Sequence, residues 1–204
     1  FLLANLSSIR ENVGTEKVDN YLFRKYSKIL EDYILGYQKK DAVPVSLLKQ
    51  QIPGLNIKQQ QSLNTMLPLA EMVSDRNVKT LASVIESKIP TAGTQELKMY
   101  IFAYRAIRWQ TKDADAQPQF QETGRKLTDL VIASMENRQA SLTASDLQEY
   151  PIILMSLQDT MSKDNYSRLA AIGEKVIPNL PDSQEKKYIQ STFDKYRKLS
   201  LKKP

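Results

Sequence analysis

The chain has 204 residues, 41% hydrophobic and 25% charged, a balance that can bury a proper core and excludes an intrinsically disordered chain. It contains no cysteine and no histidine, which excludes disulfides, thiol chemistry, zinc sites of the usual kind and every histidine-based acid, base or metal role. The formal net charge is +6, and residues 185–204 alone carry +5 of it, so the basicity belongs to the last helix and tail while the rest is nearly neutral.

With only six glycines in the chain, strands and tight hairpins are disfavoured and the composition leans towards helix. The opening residue is Phe1, not Met, as expected of a processed product or an excised fragment. Phe1-Leu2-Leu3-Ala4 is too short for a signal peptide, and no run approaches the ~18 apolar residues of a membrane helix.

Taken in order, residues 2–13 read as a short helix on Leu3, Leu6, Ile9 and Val13, ended by Gly14. Thr15 is read as the cap of a long helix through residue 37, with Leu22, Tyr26, Ile29, Tyr33 and Tyr37 in one stripe widened by Phe23, Leu30 and Ile34. An apolar arc that wide implies burial against more than one neighbour. Residues 38–55 are the least regular, with Lys39-Lys40-Asp41, Pro44 and Pro53 around one short helix at 45–52, and mark a possible sub-boundary of a chain read as a single domain, 1–204. A helix at 56–73 carries Ile57, Leu63, Met66, Leu67, Ala70 and Val73, interrupted by Pro68.

Residues 75–108 hold the most informative pattern, because the chain echoes it at 163–197. Asn77, Leu81, Ala82, Glu86, Ile89 and Pro90 recur 88 positions later as Asn165, Leu169, Ala170, Glu174, Ile177 and Pro178. Average residue usage predicts roughly one such match in a window of that length. With one extra residue in the break, Gln95, Glu96 and Lys98 fall on Gln184, Glu185 and Lys187. Each copy reads as a helix stopped at a proline, a short loop, and a second helix. Thr94 is taken as the N-cap ahead of Leu97, Tyr100, Ile101, Tyr104 and Ile107. Such a hairpin cannot bury its stripes alone and would lie against its copy.

Between the copies, 112–118 reads as a polar loop and 119–138 as a helix with Phe120, Leu127, Leu130, Val131, Ser134 and Met135 inward. Thr143 or Ser145 caps the next helix, whose Leu147, Tyr150, Ile153, Leu154 and Leu157 face the core despite Pro151.

Few residues nominate chemistry. Asp113-x-Asp115-x-Gln117 opens like a calcium loop, but the sixth and twelfth places hold Pro118 and Gly124 where Gly and a bidentate Glu are needed. Glu31 and Asp32, as helix neighbours, share no focus and read as a solvated edge. Tyr21, Tyr26, Tyr33 and Tyr37 read as core. Trp109, beside Arg105 and Arg108, is a candidate cation–π or peptide-binding spot. Lys186, Lys187, Lys195, Arg197 and Lys198 form a basic face among Tyr188, Phe193 and Tyr196, but Ile189, Phe193, Tyr196 and Ser200 are spaced as a buried stripe, which leaves a charged outer face. Asn5-Leu6-Ser7 and Asn165-Tyr166-Ser167 match the glycosylation pattern. Phosphate loop, nucleotide fingerprint, nucleophile elbow and metal-ligand helix are all missing from the sequence.

The stretch N-L-S-S-I-R-E-N-V-G-T-E-K-V-D-N-Y-L-F-R-K-Y-S-K-I-L-E-D-Y-I, residues 5–34, resembles the helical region that follows the thioredoxin fold in some exported bacterial thioredoxin-family proteins. That family's redox centre is a C-x-x-C pair, which this chain lacks. The resemblance therefore implies an accessory helical domain in an exported, periplasmic setting, with any redox chemistry upstream or absent.

The expectation is an all-α fold of about nine helices, antiparallel hairpins stacked as a short α-solenoid of the tetratricopeptide or HEAT kind or as a curved bundle. Its expected role is a non-catalytic protein-interaction or accessory domain with no cofactor, metal or membrane span and a protein partner in preference to nucleic acid. The alternative is nucleic-acid or anionic-surface binding through the basic C-terminal helix.

Overall fold

A computed structural model describes residues 6–112, 114 and 116–201. Among these the chain is all-α, with ten helices, four single 3-10 turns and no strand. The helices are α1 (Leu6–Val13), α2 (Thr15–Leu35), α3 (Val45–Gln51), α4 (Ile57–Ser74), α5 (Val78–Lys88), α6 (Thr94–Gln110), α7 (Gln117–Asn137), α8 (Ala144–Met155), α9 (Lys163–Val176) and α10 (Gln184–Leu201).

The packing sorts them into two layers. In one, α2 lies beside α6, α6 beside α8 and α8 beside α10. In the other, α4 lies beside α5, α5 beside α7 and α7 beside α9. The layers meet where α2 packs on α4, α6 on both α4 and α5, and α10 on α9. Helix α1 leans on α2 and α3 on α4. The wide apolar arc of α2 thus has the several neighbours its sequence demands.

Helix α6 occupies the middle. Leu97, Ile101, Ala103, Tyr104, Ala106 and Ile107 are all fully buried. Ala106 lets the end of α2 approach closely: an added Cβ on Gly36, the left-handed C-cap of α2, would lie 3.0 Å from Ala106 Cβ.

Helix direction within a layer can be read from the side-chain bonds. Thr94 donates to Asp146 at 3.2 Å, Lys98 to Glu149 at 2.8 Å and Arg105 to Ser156 at 3.3 Å, and Arg108 pairs with Asp159. Partner numbers rise together, so α6 and α8 run parallel, in register along one face of each. The second layer behaves alike: Glu86 pairs with Lys126 at 2.8 Å, and Ser134 and Arg138 reach the Ile89 and Ala92 carbonyls from α7. Further along, Thr128 meets Thr160 at 3.0 Å and Arg168 grips Glu136 through two bonds of 2.9 and 2.7 Å.

The two echoed segments each fold as a helix, a break at Pro90 or Pro178, and a second helix. Leu81 and Leu169 are fully buried, and Ile89 and Ile177 are both 2% exposed. Their second helices match less well, since buried Ile101 aligns with exposed Gln190. The two hairpins are not neighbours as expected; α7 and α8 stand between them. The reason is arithmetical: 88 residues is about twice the length of a typical helical-hairpin unit.

Several local expectations need correction. The long helix is capped by Gly14, not Thr15, and α6 by Gly93, not Thr94, whose hydroxyl crosses to α8 instead. Tyr26 and Tyr33 are core, but Tyr21 is 62% and Tyr37 60% exposed. Five residues separate Tyr21 from Tyr26, about 140° around the helix, and Tyr37 follows the turn at Gly36. Gln117, placed in a loop by the sequence, opens α7 with Pro118 in its first turn, where the ring fits. Pro68 is exposed inside a continuous α4, so the carbonyl it leaves unpaired can meet water. Thr143 forms the expected cap, completed as a capping box by Asp146. The irregular stretch 38–55 adds Val45, Leu48, Ile52 and Leu55 to the same core as everything else.

Two glycines are there because neighbours leave no room. Gly173 replaces the Ile85 of the earlier segment, and a Cβ on it would sit 2.6 Å from the Phe193 ring, so α9 and α10 touch there almost backbone to side chain. A Cβ on Gly124 would lie 2.5 Å from Thr160 Cγ2. Gly173→Ala is therefore expected to cost about 1–3 kcal/mol in urea unfolding, with Phe193→Leu on top recovering part of it. An unchanged midpoint would mean that α9 and α10 do not meet at this point.

Candidate functional site

A hollow of about 830 Å³ opens on the α6–α8 layer and is lined by Arg105, Arg108, Trp109, Gln117, Met155, Ser156, Gln158, Asp159 and Tyr166. It shares Met155, Gln158 and Tyr166 with a second hollow of about 340 Å³ between α8 and α10. That one is mainly apolar, with Pro151, Ile152, Met161, Tyr188, Tyr196 and Leu199, and Lys195 at its edge. Together they make one trough from α6 across α8 to α10.

Helical spacing places the α6 wall. Arg105 lies three residues after Phe102 and four before Trp109, and its guanidinium carbon sits 4.5 and 4.4 Å from the two ring centroids. Stacking between two rings holds the side chain without an acid. Its one described hydrogen bond is to the Ser156 hydroxyl, and its buried Nε has no partner among the described residues. Arg108, one turn on, is committed to Asp159. That bond holds the Asp159 carboxyl below the usual carboxylate range against the opposing effect of burial, and raises Arg108 further.

The floor is aromatic. Tyr166 and Tyr196 lie 6.0 Å apart, and Phe193 meets Tyr196 edge-on at 5.5 Å. Burial raises both tyrosines above the ordinary phenol value, so they are neutral hydrogen-bonding groups, not bases. Deeper still, Tyr104 donates to the Phe120 carbonyl at 2.5 Å and is pushed by burial up to about 12. It is a structural brace.

The structure thus brings three of the sequence-nominated residues, Arg105, Arg108 and Trp109, into one hollow. Lys195 reaches the adjoining one. Lys186, Lys187 and Lys198 join Lys195 on a separate face of α10, a depression of about 710 Å³ that also holds Asp182 and Asp194. Lys186 is tied to Asp182 and the Leu180 carbonyl. Arg197 points away, 3.8 Å from Glu174 on α9. Of the aromatics, Phe193 is buried, but Tyr188 is 65% exposed and remains available to a partner. Sequence reasoning missed Met155, Ser156, Asp159 and Tyr166. For Ser156 and Asp159 the one signal was the constant spacing of polar residues between α6 and α8; Met155 and Tyr166 had none.

Other candidates resolve simply. Glu31 and Asp32 both lean on Lys28, a solvated ion cluster. Asn165 is 3% exposed and donates to Asp129, which closes it to glycosylation. Asn5, Asp113 and Asp115 lie outside the described residues. Among the described residues, no group of three acidic side chains is placed to hold a metal ion, and no helix is long and apolar enough to cross a membrane. No protein-family model, curated protein or solved structure matches the chain.

The depressed carboxylates give a pH dependence. Arg168 lowers Glu136, as Arg108 lowers Asp159. Burial raises Asp146, but bonds from Thr143 and Thr94 outweigh it and leave that group lowered too. Groups depressed on folding stabilise the protein above their unfolded values and lose that contribution as pH falls through their folded ones. The melting temperature is therefore expected to fall below about pH 4. Glu136→Gln and Asp159→Asn should be less stable than the parent at pH 6 and show a shallower acid loss. Parallel melting curves for parent and variants between pH 6 and pH 3 would refute this.

Proposed function

We propose that this domain is a non-catalytic protein-interaction module, a short stack of helical hairpins whose α6–α8–α10 face receives a partner. One observation carries the reading. Among the described residues of the three C-terminal hairpins, every exposed large hydrophobic residue (Trp109, Ile152, Met155, Tyr188 and Leu201) lies on α6, α8 or α10, and none on α5, α7 or α9. Scattered exposed apolar residues need no explanation, but a one-sided set of which Trp109, Ile152, Met155 and Tyr188 line a trough marks an interaction surface. Against catalysis, the trough offers two arginines, Lys195, an aspartate held below the carboxylate range by its arginine, and tyrosines, with no histidine or cysteine to accept and return a proton near neutral pH.

The repeat reading is part of the proposal. Support comes from the layer order α5–α7–α9 against α6–α8–α10 and from the parallel register within each layer, the arrangement of stacked hairpin units. An accessory role in an exported bacterial protein is proposed with it, on the resemblance over 5–34. The polyanion alternative is weaker on charge: Asp182 and Asp194 stand among the α10 lysines, and nucleic acid would repel both.

A photo-crosslinking residue at Met155, compared with one at exposed Arg125 on α7, tests the reading. In host extract, Met155 is expected to give discrete protein adducts that Arg125 does not. Equal adducts from both positions, or none from Met155, would remove the interaction face. Salt-sensitive heparin retention abolished by Lys187→Glu with Lys195→Glu would assign it to a polyanion instead.

A further inference from the structure

The α6–α8 ladder has four rungs, and three of them place an acid of α8 or the turn after it opposite α6: Asp146, Glu149 and Asp159. The fourth is different. Arg105 meets a serine, and among the described residues it has no carboxylate partner. Its guanidinium contacts the Phe102 and Trp109 rings and borders the hollow, so a cation is already held and partly dehydrated where a ligand would lie. Guanidinium in that state binds carboxylate through paired, charge-assisted bonds.

The rest of the lining fixes what must accompany that carboxylate. Beyond Arg105 the lining is mainly apolar and aromatic, with Met155, Ile152, Tyr166 and Tyr188, and α10 contributes Lys195 to it. Its cations are Arg105, Arg108 and Lys195; its one acid, Asp159, is already taken by Arg108. Crossing three helices of one layer at about 9 Å spacing spans roughly 18 Å, the reach of about six extended residues.

Resting on the interaction-module reading, we propose that the partner is an extended segment carrying acidic and large apolar side chains, bound across α6, α8 and α10 with a side-chain carboxylate on Arg105. The apolar side chains occupy the α8–α10 hollow. A second acid, about six residues along, faces Lys195.

Fluorescence anisotropy with end-blocked, fluorescein-labelled peptides of about ten residues tests this on the full chain. One peptide mixes glutamate and leucine, a second replaces glutamate by lysine, and a third replaces leucine by serine. The first is expected to bind, more weakly as salt rises, and the others at least tenfold more weakly. Arg105→Gln should lose about tenfold. Since Arg105 also packs between rings, Met155→Glu and Lys195→Glu serve as exposed second variants, each expected to weaken binding while the exposed α5 variant Lys79→Glu does not. Equal or tighter binding of the lysine peptide, binding of the serine peptide alone, or affinity for the first peptide unmoved by Arg105→Gln and Lys195→Glu would overturn the proposal. Absence of binding by all three would do the same. Because Met155 crosslinking reads the face without assuming an acidic ligand, adducts there alongside a failed peptide series would discard the ligand class and keep the module.

Discussion

Everything in this architecture depends on α6 being flanked on several sides at once. Its fully buried Leu97, Ile101, Tyr104 and Ile107 supply the apolar area, while Ala103 and Ala106 keep it slim enough for close neighbours. Each Leu or Ile so buried contributes about 1.5–3 kcal/mol relative to exposure. Apolar area alone does not choose a register, however. The polar ladder to α8 does, because slipping α8 by one turn would set Lys98 and Arg108 against the wrong partners. Half-buried pairs of this kind specify more than they stabilise.

The two layers use their surfaces in opposite ways. On α5, α7 and α9, outward side chains are tied across helices, as Glu86 is to Lys126 and Arg168 to Glu136 and Asp129. That face is polar and braced by ion pairs between its helices. On α6, α8 and α10 the ladder lies at the edge of the trough and leaves Trp109, Ile152, Met155 and Tyr188 facing solvent. A face with half-buried register-setting bonds and exposed large apolar side chains is the one on which the proposed interaction rests.

Helix existence was legible because its signal is local: apolar residues recur at helical spacing, and Gly36, Pro90, Thr143 and Pro178 sit at or beside element ends. Cap residues were harder, since Thr15 and Thr94 satisfy the cap pattern equally well one residue from the true caps, Gly14 and Gly93. The echo at 88 residues was visible, but its meaning was not. Sequence identity reports which segments look alike, whereas adjacency depends on α7 and α8, whose sequences differ from both copies. Arg105, Arg108 and Trp109 were legible as a cluster because helical spacing joins them. Their partners Ser156 and Asp159 were not, since they come from α8's end and the next turn, about fifty residues away.

A lone arginine among aromatics in a sequence is most often a snorkelling surface residue. What changes its meaning is the comparison available only in three dimensions: of four matched positions facing α6, the residue opposite Arg105 is the single one without a carboxylate. An acid at 156 would neutralise Arg105 within the fold and make the trough indifferent to ligand charge. A serine there holds the guanidinium in place by one weak hydrogen bond and leaves its charge unanswered. Selectivity for an acidic segment then requires no special pocket, only the omission of one internal ion pair from an otherwise regular ladder.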